Sequence, residues 1–142
     1  SNSSVLKGET LLDTARNIQA MKVDMVVLRH SMPGASHFLS KKLDASVINA
    51  GDGAHEHPTQ ALLDIMSIKE KFNKIDGLNA LIVGDIAHSR VARSLILALK
   101  KSNANVSVCA PPTLLPYKMD GWDVNTYYNL DDAIKEQDLI YV

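Results

Sequence analysis

The sequence predicts an α/β fold: two partial parallel-sheet lobes, Rossmann-like in connectivity, joined by a long helix. The first observation behind this is alternation. Short apolar, β-branched runs at 24–28, 46–49, 78–83, 106–110 and 139–142 are separated by stretches of helical periodicity. Strands alternating with helices of about 10–15 residues build parallel sheets through right-handed β-α-β units. The second is a long helical pattern over 58–72, closed by the turn dipeptide Asp76-Gly77, which makes two lobes a better reading than one sheet. The third is the placement of polar clusters. Arg29-His30-Ser31, His55 to Gln60 and Asp85 to Arg90 all follow apolar strands, where ligands gather in open parallel sheets.

Taken in order, Thr10 is placed to cap a helix over 10–21, with Asp13 three residues on and Leu11, Leu12, Ala15, Ile18 and Met21 at helical spacing. The run 24–28 reads as a buried parallel strand. A short helix over 34–43 and a strand over 46–49 follow. Pro58 suits a first helical position, where its missing N–H costs nothing. Leu62, Ile65, Met66 and Phe72 form the apolar stripe of that helix, while Lys69, Glu70 and Lys71 face water. Met21, Met25 and Met66 lie on such stripes and are assigned to the core. After the strand over 78–83, Ser89 caps a helix over 90–101. Pro111-Pro112 end the strand over 106–110. A strand over 123–127, a helix over 130–136 and a buried strand over 139–142 complete the pattern. Trp122 reads equally as core or interface.

The chain has 142 residues, 46% of them hydrophobic and 22% charged, with a formal net charge of -1. That balance is globular. Basic residues are scattered, so no nucleic-acid surface is marked. Lys41-Lys42, Lys100-Lys101 and the lysines of 69–74 read as solvated faces. Cys109 is the only cysteine, which excludes an internal disulfide and a cysteine zinc cluster and suits a reducing, cytoplasmic setting. The longest apolar run, 95–99, is far too short to span a bilayer, and the start lacks a signal-peptide pattern. A chain that stops within a core strand is expected to be a piece of a longer polypeptide.

The segment from Asn49 to Asp64 carries most of the chemistry. His57, Thr59 and Gln60 crowd the positive end of a helix, where free backbone N–H groups favour an anionic or carbonyl-bearing ligand. His57 can donate to a substrate oxygen or simply cap the helix. Arg29 can grip a phosphate or carboxylate in a bidentate fork, or make an inter-element salt bridge. Arg90 sits in the first turn of a helix, where a cation is disfavoured, and this points to an anionic partner. Arg93, one turn on, reads as structural. Ser3 and Lys7 lie in a polar segment that by itself reads as a mobile terminus. His55, Glu56 and His57 lack a fourth ligand, so no metal is expected. Gly84-Asp85 lacks the further glycines of a dinucleotide fingerprint, so no nucleotide cofactor is expected either. Lys7, Arg29, His57, Gln60 and Arg90 together supply cations and donors without a nucleophile. They suit an anionic, oxygen-rich substrate whose developing negative charge is stabilised.

The motifs Lys7-Gly-Glu-Thr10, Leu28-Arg-His30, Asn49-Ala-Gly-Asp-Gly53, His57-Pro-Thr-Gln-Ala-Leu-Leu-Asp64, Val83-Gly-Asp85, Ser89-Arg-Val-Ala-Arg-Ser94 and Ala110-Pro-Pro-Thr-Leu-Leu-Pro116 resemble those of the aspartate carbamoyltransferase catalytic chain, over essentially the whole length. The resemblance implies carbamoyl transfer from carbamoyl phosphate to L-aspartate, an early step of pyrimidine synthesis. It implies the C-terminal part of a carbamoyl-phosphate lobe over 1–57, a connecting helix over 58–73 and the N-terminal part of an aspartate lobe over 74–142. Arg29, His57 and Gln60 would bind carbamoyl phosphate, with His57 on its carbonyl oxygen and Gln60 on its amide. Arg90 would hold an aspartate carboxylate. Ser3 and Lys7 match a loop that such enzymes insert into a neighbouring subunit's site, where Lys7 would touch phosphate and aspartate. A homotrimer, and a regulatory chain as a further partner, are carried by the resemblance alone.

Two departures temper the match. The family's Ser-Thr-Arg-Thr phosphate-binding segment is expected upstream of Ser1. A later arginine segment and a His-Pro-Leu-Pro loop are expected beyond Val142, so the 142-residue piece alone is expected to be nearly inactive. The rival readings are an ornithine-type carbamoyltransferase, against which Thr59 stands where those enzymes usually carry cysteine, a non-catalytic anion-binding or assembly module, and a nucleotide-binding domain.

Overall fold

The computed structural model describes residues 10–119 and 121–142. The chain divides into two compact units between His55 and Glu56, and both are α/β with parallel sheets.

In the first unit, helix α1 (Leu11–Ala20) begins where the Thr10 hydroxyl accepts the Asp13 N–H at 3.2 Å, as the sequence predicts. Strands β1 (Met25–His30) and β2 (Ser46–Asp52) pair in parallel, with a register shift between Leu28 and His30 that sets His30 opposite Asp52. Helix α2 (Ala35–Ser40) is shorter than the predicted 34–43: Gly34, in a left-handed conformation, stands as its N-cap, and Lys41 closes it. The apolar cluster is small: Ala15, Leu39 and Leu43, with Leu11, Leu12, Leu28 and Val47 packed against it. β1 is not the buried strand predicted. Leu28 turns to the cluster, while Met25 and Val27 are exposed, Val27 to 64%. Met21 is exposed as well.

The second unit holds a four-stranded sheet in the order β5-β4-β3-β6, formed by β3 (Asn79–Val83), β4 (Asn105–Cys109), β5 (Asn125–Tyr127) and β6 (Leu139–Tyr141). Period-two alternation splits its residues between two layers. Ala80, Ile82, Val106 and Val108 pack with α3 (Pro58–Phe72) and α4 (Arg90–Lys101), through Ala61, Ile68, Leu95, Ile96 and Leu99. Leu81 and Cys109 face Ala133 of the short helix α5 (Leu130–Ala133). The bounds of α3 and α4 match the predicted ones. The buried stripe of α3 does not: Ala61 and Ile68 are buried with Ile65 and Phe72 beside them, whereas Leu62 and Met66 lie outward, Met66 at 56% exposure. Trp122 packs against the larger cluster. Among the described residues no helix is long and apolar enough to cross a membrane.

Candidate functional site

In the first unit the loops at the carboxyl ends of β1 and β2 interlock around one carboxylate. Asp52, only 2% exposed, accepts the Gly34 N–H at 2.7 Å and the Asn49 side-chain amide at 3.1 Å, and lies 3.1 Å from His55 Nδ1. The neighbouring Gly53 N–H donates to the His30 carbonyl at 2.8 Å, and His30 Nδ1 accepts from the Met32 N–H at 3.0 Å. Gly53 has φ +59°, and a Cβ there would stand 2.5 Å from the Ser31 carbonyl oxygen. Only glycine fits both the left-handed backbone and that approach. The strand end that carries Arg29, itself exposed, is therefore pinned from the loop that follows β2.

In the second unit α3 and α4 open side by side. His57 caps α3: its Nδ1 accepts from the Gln60 N–H at 3.4 Å, and the Thr59 hydroxyl lies at the same distance. The two readings of His57 are thereby compatible. When Nδ1 accepts, a neutral imidazole carries its proton on Nε2, which is left as a donor. The backbone of His57 is held independently, its N–H donating to Ser94 Oγ at 2.9 Å, while the Ser94 hydroxyl donates to the Glu56 carboxylate. Ser94 is buried on α4, one turn beyond Arg90. Gln60 donates through Nε2 to Asp64 Oδ1 at 3.0 Å, and Asp64 Oδ2 is enclosed.

Arg90 is the first residue of α4, whose cap is the predicted Ser89, accepting from the Ala92 N–H at 3.1 Å. Arg93 stacks over Trp122 at 5.7 Å, consistent with a structural role. The sheet order reverses between β3 and β6, and at that switch a cleft of about 410 Å³ is lined by Gly84, Asp85 and Ser89 from one side and Tyr141 from the other. Burial first, the charge of Asp64 second and a hydrogen bond to Asp64 third raise the pKa of the Tyr141 phenol above its usual 10.0.

The sequence-predicted residues thus fall as follows. Arg29 stands in the first unit; His57, Gln60 and Arg90 stand in the second, where His57 and Gln60 share the first turn of α3. Ser3 and Lys7 lie outside the described residues. Among the described residues no group of three or more His, Cys, Asp or Glu is arranged to hold a metal. Sequence reasoning gave no role to Asp52, Ser94 or Asp64. The Gln60–Asp64 spacing of one helical turn was the available signal for the last.

A family model described as the carbamoyl-phosphate-binding domain of aspartate/ornithine carbamoyltransferase matches residues 1–70. The aspartate carbamoyltransferase catalytic subunit of Halothermothrix orenii is 58% identical over all of this chain and 45% of its own length. That of Christiangramia forsetii is 60% identical over 94% of this chain and 43% of its own. Among solved structures, aspartate transcarbamoylase from Trypanosoma cruzi bound to N-(phosphonacetyl)-L-aspartic acid superimposes with a TM-score of 0.82 at 31% identity, over 97% of this chain and 47% of that one. The catalytic subunit from M. jannaschii gives 0.81 at 38% identity, over 99% and 48%. The chain spans about 45% of the length of the first of these curated relatives.

Proposed function

The chain belongs to the aspartate/ornithine carbamoyltransferase family, and from that premise we propose that a full-length catalytic chain carrying it transfers the carbamoyl group of carbamoyl phosphate to the amine of L-aspartate. The products are N-carbamoyl-L-aspartate and phosphate, in an early step of pyrimidine synthesis. The aspartate nitrogen forms a bond to the carbonyl carbon, the bond from that carbon to the phosphate oxygen breaks, and the amine gives up a proton. No protein nucleophile is required. The enzyme's contribution is orientation, charge neutralisation and polarisation of the carbonyl.

The observation that carries this reading is His57. Its Nδ1 is engaged as a helix cap, so Nε2–H is the atom offered to the carbonyl oxygen, where negative charge builds up during attack. Gln60 takes the carbamoyl amide, Arg29 the phosphate and the carbonyl oxygen, and Arg90 a carboxylate of aspartate. A guanidinium there suits aspartate and disfavours the cationic side chain of ornithine. Lys7, with Ser3, serves the site of a neighbouring subunit in a homotrimer located in the cytoplasm, with a regulatory chain as an optional partner. No metal or organic cofactor takes part. Structures of the T. cruzi relative are described in complex with carbamoyl aspartate and phosphate, and with carbamoyl phosphate and aspartate, which supports the choice of substrates.

The test is direct. Purified full-length enzyme is given carbamoyl phosphate with either aspartate or ornithine, and carbamoylated product is measured. Aspartate is expected to be the acceptor; ornithine alone would overturn the assignment. His57→Ala is expected to lower turnover by roughly a hundredfold or more, the scale of one lost oxyanion donor.

A further inference from the structure

Asp64 has no part in the chemistry assigned above, yet its carboxylate is committed to two side chains of its own unit, Gln60 and Tyr141. Oδ1 receives the Gln60 side-chain amide at 3.0 Å, Oδ2 is enclosed, and the Tyr141 phenol is hydrogen-bonded to the same carboxylate. Enclosing a carboxylate oxygen is costly. A residue whose only task was stability would be better served by an apolar side chain. The geometry makes sense if the carboxylate controls what Gln60 presents.

A glutamine amide has two chemically opposite ends on a torsion that is nearly two-fold, so its oxygen and nitrogen exchange places at little energetic cost. An ionised carboxylate can only accept. Beside Asp64, the inward end of the amide must therefore be the NH2, and Oε1 must be the end turned away. A carbamoyl NH2 is a pure donor and needs an acceptor. The reversed amide would set NH2 against NH2. The phenol of Tyr141, kept protonated by burial and by the Asp64 charge, adds no second negative group to compete for the Gln60 donor.

We infer that Asp64 is a positioning residue which locks the Gln60 amide with Nε2 inward and Oε1 outward, so that Gln60 accepts from the carbamoyl NH2 of the substrate. This rests on the role proposed for Gln60 above.

The decisive variant is Asp64→Asn in the full-length enzyme, which keeps the size of the side chain but can turn a donor toward Gln60. KM for carbamoyl phosphate is expected to rise roughly ten- to a hundredfold, the scale of one mispaired hydrogen bond, with kcat at saturation nearly unchanged. In a Gln60→Ala background the same substitution is expected to change nothing further. Equal effects in both backgrounds, or a loss confined to kcat and thermal midpoint, would overturn the inference. Selective 15N-glutamine labelling reads the amide directly. The Gln60 side-chain protons are expected to be protected from exchange in the wild type and to lose protection in Asp64→Asn; unchanged protection refutes the lock. An enzyme that makes no carbamoyl aspartate at all would instead refute the functional reading, while the amide resonances still decide the role of Asp64.

Discussion

The unit that ends at His55 combines a small apolar cluster of Ala15, Leu39 and Leu43 with one buried carboxylate, Asp52, that gathers the loops after both its strands. The unit that begins at Glu56 sets its loops on a far larger apolar body, in which Leu81, Leu95, Leu99 and Val108 are wholly buried. There the polar contacts, Ser94 to His57 and Asp64 to Gln60, adjust single side chains on a helix already held by packing. The contrast teaches where precision comes from. With few apolar contacts, a loop is held by directional bonds, and one lost acceptor releases several strands of chain at once. With many, the backbone is secured by burial, and a lost polar contact misplaces one group.

The largest effect expected from this contrast is in the second unit. Leu95→Ala removes a fully buried side chain and is expected to destabilise by about 2–5 kcal/mol, the range for truncation that leaves a cavity. Hydrogen exchange of the full-length protein should show the loss across the amides of β3 and β4. A change confined to α4 would mean that the cluster is less cooperative than its packing indicates.

Asp52→Asn is the matching test of the first unit, with an expected cost of about 1–3 kcal/mol. One oxygen of the amide cannot replace the two that serve Gly34, Asn49 and His55. Faster exchange is expected at Gly34 and Gly53, the points where the two loops are tied. If Asp52→Asn exchanges as slowly as the wild type at both, the loops are held by something other than this carboxylate.

Much of this architecture is legible in the sequence, and the misses share a physical cause. Pro58 and Ser89 announce helix starts because capping and proline geometry are local, and both α3 and α4 run over their expected residues. What period alone cannot tell is which of two adjacent apolar rows faces the sheet. On α3, Leu62 and Met66 looked the better core residues, but Ala61 and Ile68 are the buried ones, since close packing against α4 favours a small residue near the helix start. Met25 misleads for a related reason: a two-stranded sheet with helices on one face leaves its other face open within the unit, while Met21 is exposed at the C-terminal end of α1. For the site, His57 and Gln60 are marked by their crowding at a helix end. Asp52 and Ser94 are not marked, because a supporting polar residue becomes visible only when distant parts of the chain meet it.

Ser94→Ala should have a smaller and more local effect than Asp52→Asn. It orphans the His57 N–H and removes a partner of Glu56, at an expected cost of about 1–2 kcal/mol. Exchange at His57 should quicken while the amides of β3 stay as slow as in the wild type. Loss of protection throughout the unit would show that Ser94 braces the packing of α3 on α4 rather than the cap alone.

The weakest contact worth testing is the surface pair of Lys100 and Asp123, in the same unit as the largest core effect. Lys100 Nζ reaches both the carboxylate and, at 2.8 Å, the carbonyl oxygen of Asp123. The hydrogen bond first, and the ammonium charge second, hold the Asp123 carboxyl below its ordinary 3.8. A carboxyl whose pKa is lowered by folding adds stability that is complete above its unfolded value and disappears as pH falls through the folded one. The loss is therefore expected only below about pH 3.8, and salt should shrink it because the carboxylate is fully solvated. A 13C titration of Asp123 should give a midpoint under 3.8 that returns toward the ordinary value in Lys100→Met. Should the midpoint stay where it was, Lys100 is not the cause, and the pair would contribute nothing to set against the buried carboxylate of the first unit.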